Sequence, residues 1–251
     1  MWPTWHLSVD PAGRPGAENM ALDQALLDEA DRTAHAFLRL YRWDPPCLSF
    51  GRNEQALARY DRSAIERLGL DVVRRPTGGR AVWHHHEVTY AVAAPVEAFG
   101  SVRQSYRTIH EWLAQALREL GVRAELAPAG GMGAGGACFA APVGGEVLVA
   151  GNKVIGSAQV RQGVAFLQHG SILLDGTQEI ISRVSRRPSP PPNATTLSQV
   201  LGRPMSFEEV AAAIVRAWNE AGAQHAVPLP PSARPPVRLS ACSDPRWTWR
   251  R

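Results

Sequence analysis

EVLVAGNKVIGSAQVRQGVAFLQHGSILL, residues Glu146–Leu174, is the stretch on which the fold turns. Glu146 to Ala150, Lys153 to Val160 and Val164 to Leu174 read as successive strands, short runs of apolar and β-branched residues. The dipeptides Gly151-Asn152 and Gln162-Gly163 are turn signals between them, and such short connections join antiparallel neighbours.

Working outward, helices flank these strands. Glu18 to Ala30 carries apolar positions at helical spacing, and Ser101 to Leu120 is a longer helical pattern closed by Gly121. Asp61 is placed to cap a helix through Leu68, and Met205 to Ala221 is a last amphipathic helix. Phe37 to Tyr41, Cys47 to Phe50, Asp71 to Arg75 and Val88 to Ala93 add strands. Gly130 to Gly136 is glycine-rich, Arg186 to Asn193 reads as a linker, and Pro228 to Pro236 as irregular. The expected class is α+β, with mixed and antiparallel sheets flanked by helices.

The chain has 251 residues, 45% hydrophobic and 20% charged, enough for a core without disulfide staples. Three cysteines, Cys47, Cys138 and Cys242, form neither a metal spacing nor a disulfide framework, which fits a reducing, cytoplasmic setting. The N-terminus lacks the layout of a signal peptide, and no run is long and apolar enough to span a membrane. The net charge of +4 and the pI near 9.3 suit an acidic partner, yet the arginines are dispersed and form no nucleic-acid motif. A genome that favours arginine explains the same charge.

Four places carry candidate chemistry. In Arg74-Arg75-Pro76-Thr77-Gly78-Gly79-Arg80 paired glycines let the backbone approach a ligand, and the arginines are suited to an anionic or carbonyl group; an ordinary tight turn is the plainer reading. His84-His85-His86 cannot all converge on one metal, because neighbours on a strand point to opposite faces, so one is expected to face a site and the others solvent. Cys138 follows the glycine-rich run, where a thiol stays accessible and reacts if a cation lowers its pKa; a small buried hydrophobe is the alternative. Lys153, fifteen residues on, is such a cation if one strand returns the chain. His169, inside an apolar run, is read first as a satisfied core histidine and second as a base.

These pieces together resemble the lipoate–biotin ligase and lipoyl/octanoyl transferase superfamily, closest to its LipM-type octanoyltransferase branch. The resemblance rests on Met20-Ala21-Leu22-Asp23, Arg74 to Arg80, His84, Glu87-Val88-Thr89-Tyr90, Ala137-Cys138-Phe139, Gly151 to Gln159, Gln168 to Leu174 and the closing Ser243 to Trp247. It departs at Pro142-Val143-Gly144-Gly145-Glu146, where relatives usually carry a tyrosine. The resemblance implies a biotin/lipoate protein ligase-like catalytic domain over residues 1–251, with a C-terminal extension from about 186 packed on it. It implies Cys138 as acyl-thioester nucleophile and Lys153 as the lysine that lowers its pKa. Arg75, Gly78, Gly79, His84, Gly156, Ser157, Ala158 and Gly170 would line the acyl pocket. The implied donor is octanoyl-acyl carrier protein, and the acceptor a lipoyl-acceptor domain such as the glycine cleavage H protein. The protein would be a monomer working without cofactor, metal, nucleic acid or membrane. An ATP-dependent lipoate–protein ligase, a lipoyl amidotransferase and a non-catalytic acyl-binding protein are the alternatives.

Overall fold

Several helices begin where a side chain accepts one of the first N–H groups, which would otherwise lack a partner. Asp61 accepts from Ser63 and Ala64, Ser101 from Gln104, and Thr196 and Ser206 each form a capping box with the residue three positions on. The computed structural model describes residues 3–128, 145–187, 194–222, 227–228 and 242–250. The helices are α1 (Gly16–Thr33), α2 (Ala56–Arg59), α3 (Arg62–Arg67), α4 (Val102–Glu119), α5 (Glu179–Val184), α6 (Leu197–Leu201), α7 (Phe207–Glu220) and α8 (Pro245–Thr248). The glycine-rich run 130–136, Cys138, most of the 186–193 linker and nearly all of the proline-rich 228–236 lie outside the described residues.

The strands form three sheets. In chain order they are β1 (Trp5–Arg14), β2 (Ala36–Trp43), β3 (Cys47–Phe50), β4 (Asp71–Arg74), β5 (Val82–His84), β6 (Glu87–Pro95), β7 (Ala124–Leu126), β8 (Val147–Val149), β9 (Asn152–Lys153), β10 (Ile155–Gln162), β11 (Ala165–Leu173) and β12 (Val227–Pro228). The large sheet runs β10-β11-β6-β2-β1-β12, antiparallel from β10 to β2 and parallel beyond. A second sheet has the order β4-β3-β5 and a third β7-β8-β9. The protein is thus α+β, with mixed and antiparallel sheets.

β6 and β11 are buried along their whole length, because helices cover both faces of the large sheet. On one face, α4 and α7 enclose Leu38, Leu40, Tyr90, Val92, Phe166 and Trp218. On the other, α1 packs Met20, Leu26 and Leu27 against Phe37, Ala91, Ala93 and Leu167. Toward the end of the strands that face meets no helix, and the small sheet β4-β3-β5 stands over it instead.

Two features differ from the sequence reading. Lys153 to Val160 is not one strand: Val154 donates to Val147 O, while its own carbonyl accepts from Leu173 N, so one residue is shared between two sheets. Lys153 therefore belongs to β9 and Gly156 to β10, with the seam between them. The strand β1 carries no sequence signal because Pro11 and Gly13 interrupt it, and its register with β2 shifts between Asp10 and Arg14.

Arg74 ties the end of the chain to this frame. Its buried guanidinium donates to the carbonyls of Gly51, Arg52 and Glu54 and to those of Trp247, Thr248 and Arg250. Burial and the neighbouring Arg250 bring its pKa down to about 10, so it remains charged at neutral pH. Trp249 packs beside Phe50 under the small sheet. Arg74→Met strands several buried carbonyls, and a loss of roughly 3 kcal/mol corresponds to a Tm lower by roughly 6–12 °C. Arg107→Ala, which removes an exposed ion pair with Glu111, should move the melt by no more than about 2 °C. Equal melts for the two variants in differential scanning calorimetry would contradict the clamp.

Candidate active site

Strand alternation and the registers write out the floor of a cavity. Gly156, Ser171, Thr89 and Tyr41 lie in one row across β10, β11, β6 and β2, and Ala158, His169, Ala91 and Arg39 lie in the next. Both rows face the small sheet. Gly156 and Ala158 contribute almost no side chain there, so space remains between floor and roof. Met20 from α1 and Arg75, Val82 and His84 from around the small sheet border it from above, and the space between them, counted together with the solvent at its open side, is about 320 Å³.

Two buried carboxylates support this floor. Asp23, on α1, accepts from Arg39 Nη1 at 2.9 Å, from Tyr41 Oη at 2.8 Å and from His169 Nδ1 at 2.8 Å. With its Nδ1–H given to Asp23, His169 accepts on Nε2 from Thr77 Oγ1 at 2.6 Å. Burial pushes His169 below its ordinary pKa, so it is neutral with both nitrogens engaged. It is a satisfied histidine, as the sequence suggested first, and it lies at the cavity wall.

Glu87 is the second carboxylate. Its Oε1 accepts from Thr89 Oγ1, from Ser171 Oγ at 2.9 Å and from His84 Nδ1 at 2.9 Å. The far side of His84 meets Ser49 Oγ at 2.7 Å, and that oxygen already accepts from Arg75 Nη1 at 3.0 Å. The Glu87 carboxylate only accepts, so Nδ1 of His84 donates to it, and in the tautomer with that single ring proton Nε2 accepts from Ser49 Oγ. His84 is buried at the cavity while His85 and His86 are exposed, the division expected for three neighbours. Among the described residues no group of three or more His, Cys, Asp or Glu is arranged to hold a metal.

Arg75, His84, Gly156, Ser157, Ala158 and Gly170 all line the cavity. Their roles differ from the sequence picture in two respects. Arg75 donates to Ser49 O, Gly78 O and Arg80 O as well as Ser49 Oγ, and Arg74 is spent on the clamp, so both arginines hold the protein's own carbonyls. Gly78 and Gly79 sit in the turn that Arg75 fastens; Gly79 has φ +89°, which favours glycine. Ser157 shows the cavity its backbone, since its hydroxyl bonds Tyr90 Oη at 2.7 Å and His110 Nε2 at 2.8 Å on the other face. A Cβ on Gly170 would stand 2.5 Å from Gly156 O and 2.6 Å from Ser157 Oγ, so that crossing admits only glycine.

Lys153 stands at the seam just before Gly156. It is 2% exposed, and its ammonium donates to Glu146 Oε1 at 2.6 Å. Tyr106 and His110 of α4 pack beside this pair, and the Lys153 charge helps push His110 down. Glu146 was legible only as the start of a strand. Cys47 is fully buried on β3, where burial and Asp71 push its thiol well up and keep it protonated. Arg39 and Trp43 were also missed, although an arginine inside the apolar run Phe37-Leu38-Arg39-Leu40-Tyr41 signals a buried acidic partner.

Residues 15–219 match the model of the lipoyl protein ligase A/B catalytic domain. The chain is 41% identical to octanoyltransferase LipM of Kyrpidia tusciae, covering 87% of each chain. It is 40% identical to octanoyltransferase LipM of Symbiobacterium thermophilum, covering 82% of this chain and 81% of that one. Among solved structures, a lipoate protein ligase-like protein from T. acidophilum superposes with a TM-score of 0.79 at 19% identity over 99% of both chains, a likeness of fold.

Burial gives the site a pH signature. His110 is fully buried, and desolvation followed by the Lys153 charge lowers its pKa to about 3. A folded pKa below the unfolded 6.5 means the unfolded chain binds the extra proton, so this stability is complete above pH 6.5 and lost as pH falls toward 3. By pH 5 the loss is about 2 kcal/mol. His110→Gln, which keeps a polar partner for Ser157, should flatten the fall in unfolding free energy between pH 7 and 5 by about that amount. Parallel curves for the two proteins in urea titrations would contradict it.

Proposed function

The chain belongs to the lipoyl protein ligase A/B catalytic domain family, and from that footing we propose that it is an octanoyltransferase of lipoate synthesis, moving octanoyl from a carrier thioester to a lysine of a lipoyl-acceptor domain. The observation that carries this is the likeness to octanoyltransferases at about 40% identity over most of both chains. A cavity with an apolar lining, and a buried Lys153 three positions before the Gly156 that lines it, support the reading.

In the proposed reaction the Cys138 thiolate attacks the carbonyl carbon of the octanoyl thioester. A tetrahedral oxyanion forms, stabilised by backbone N–H groups of the glycine turns and by the Lys153 charge. The bond to the carrier sulfur breaks, and the carrier thiol leaves with a proton. The amine of the acceptor lysine then attacks the acyl-enzyme, the amide bond forms, the bond to Cys138 breaks, and the amine's surplus proton returns the thiol. The thioester supplies the activation, so the proposed route consumes no ATP. The Lys153–Glu146 pair supports a fixed cation on this route, because a buried ammonium without a counter-charge would shed its proton.

The donor is read as acyl carrier protein and the acceptor as a protein such as the glycine cleavage H protein. Excess positive charge supports the first, since complementary charge speeds encounter with an acidic carrier. We read the chain as a single catalytic domain acting as a cytoplasmic monomer. Among the described residues, no helix is long and apolar enough to cross a membrane.

Intact mass after mixing with octanoyl-acyl carrier protein, without ATP, tests the reading. The expected result is a gain of one octanoyl group that passes to an acceptor domain, is absent in Cys138→Ser and is slowed about a hundredfold or more in Lys153→Ala. Transfer that requires ATP and free acid would mean a ligase. Tight octanoate binding without any turnover would mean a binding protein.

A further inference from the structure

Trp43 lies at the end of β2, on the side of the cavity farthest from β10. Its indole stacks on His84 with ring centroids 3.9 Å apart and 11° between planes. The indole N–H donates to Thr89 Oγ1 at 2.7 Å, and Thr89 in turn donates to Glu87. Behind this pair, on the outside of the molecule, is a second, larger cleft of about 820 Å³ between the Pro11–Gly13 bulge and the His85-His86 turn. Among the described residues, Trp43 alone lines both spaces.

We propose that the Trp43–His84 stack is the end wall of the acyl cavity and sets the length of chain the protein accepts. The inference rests on the octanoyltransferase reading and adds the residue that makes the choice. From β10 to β2 the floor spans three strand spacings, about 14 Å. An extended octanoyl chain covers roughly 9 Å and fits that span with van der Waals contact at both ends. An extended dodecanoyl chain covers roughly 14 Å and leaves no room for such contacts. The wall is rigid for a physical reason: the indole is fixed by a hydrogen bond to a buried threonine, and His84 is held on both nitrogens by Glu87 and Ser49. Removing the indole joins the cavity to the outer cleft, so the methyl end of a longer chain passes through instead of folding back.

The test is a chain-length profile. Hexanoyl, octanoyl, decanoyl and dodecanoyl thioesters of acyl carrier protein are offered to the full-length protein and to Trp43→Ala and Trp43→Phe, and acylated acceptor domain is quantified by mass. For Trp43→Ala the dodecanoyl-to-octanoyl ratio of kcat/KM should rise at least tenfold, roughly what burying two further methylenes is worth. Trp43→Phe keeps a ring over His84 and should keep the octanoyl preference. All chains slowed equally in Trp43→Ala, or the same shift in Trp43→Phe, would overturn the proposal. If Trp43→Ala does not fold, Trp43→Leu is measured in its place, with the gain expected at decanoyl and an unchanged profile counting against the wall. If the wild-type protein transfers no chain at all, the functional reading falls by itself. The wall is then decided by calorimetry with free octanoate and dodecanoate, whose order of affinity Trp43→Ala should reverse and an unchanged order would refute.

Discussion

Asp23 is a fully buried carboxylate that ties three other stretches of chain to its own helix. It holds Arg39 and Tyr41 from one strand and His169 from another, and through His169 it reaches Thr77 in the turn that roofs the cavity. A buried carboxylate is tolerable only when its partners are in place, so helix, sheet and turn are fixed relative to one another by one group's need for hydrogen bonds. Glu87 repeats the arrangement a few ångströms along the floor, with His84, Thr89 and Ser171. The two clusters keep the sheets at a set separation without filling the space between them. That is how an apolar slot persists inside a protein that otherwise packs densely.

The same economy of roles runs through the arginines. Arg74 and Arg75 stand side by side next to a glycine turn, where a sequence invites the reading of an anion site. Both are instead consumed by main-chain carbonyls, one fastening the C-terminal residues and the other the turn itself. The buried ammonium near this frame is that of Lys153, paired with Glu146 and placed where one residue leaves the third sheet and the next joins the large one. Its counter-ion Glu146 lies seven residues upstream on the neighbouring strand connection, so a local meander supplies both members of the pair.

Much of this was legible in the residues. Helix starts at Asp61 and Ser101 follow directly from capping chemistry, and β3 has the bounds expected of it. Six residues named for the pocket by resemblance meet at one cavity. What was not legible depends on distance along the chain. β1 is disguised by Pro11 and Gly13, and the strand break at Val154 becomes visible only when its partners in two sheets are known. The convergence of Asp23 on His169, 146 positions away, or of Arg74 on Trp247, has no local pattern. Trp43 carries no local signal, since an aromatic at a strand end is most often core, and its place between two cavities is a property of the assembled fold.

The proposed transfer puts the acyl chain in the slot between the large and small sheets with its reacting end toward β10. A crystal structure of the protein with octanoic acid, or with a non-cleavable octanoyl-carrier analogue, tests it most directly. The expected result is the carboxyl or carbonyl end beside Gly156 and Ser157 of β10 and the terminal methyl against Trp43 and His84. An acyl chain lying in the reverse direction, or outside the slot altogether, would contradict it.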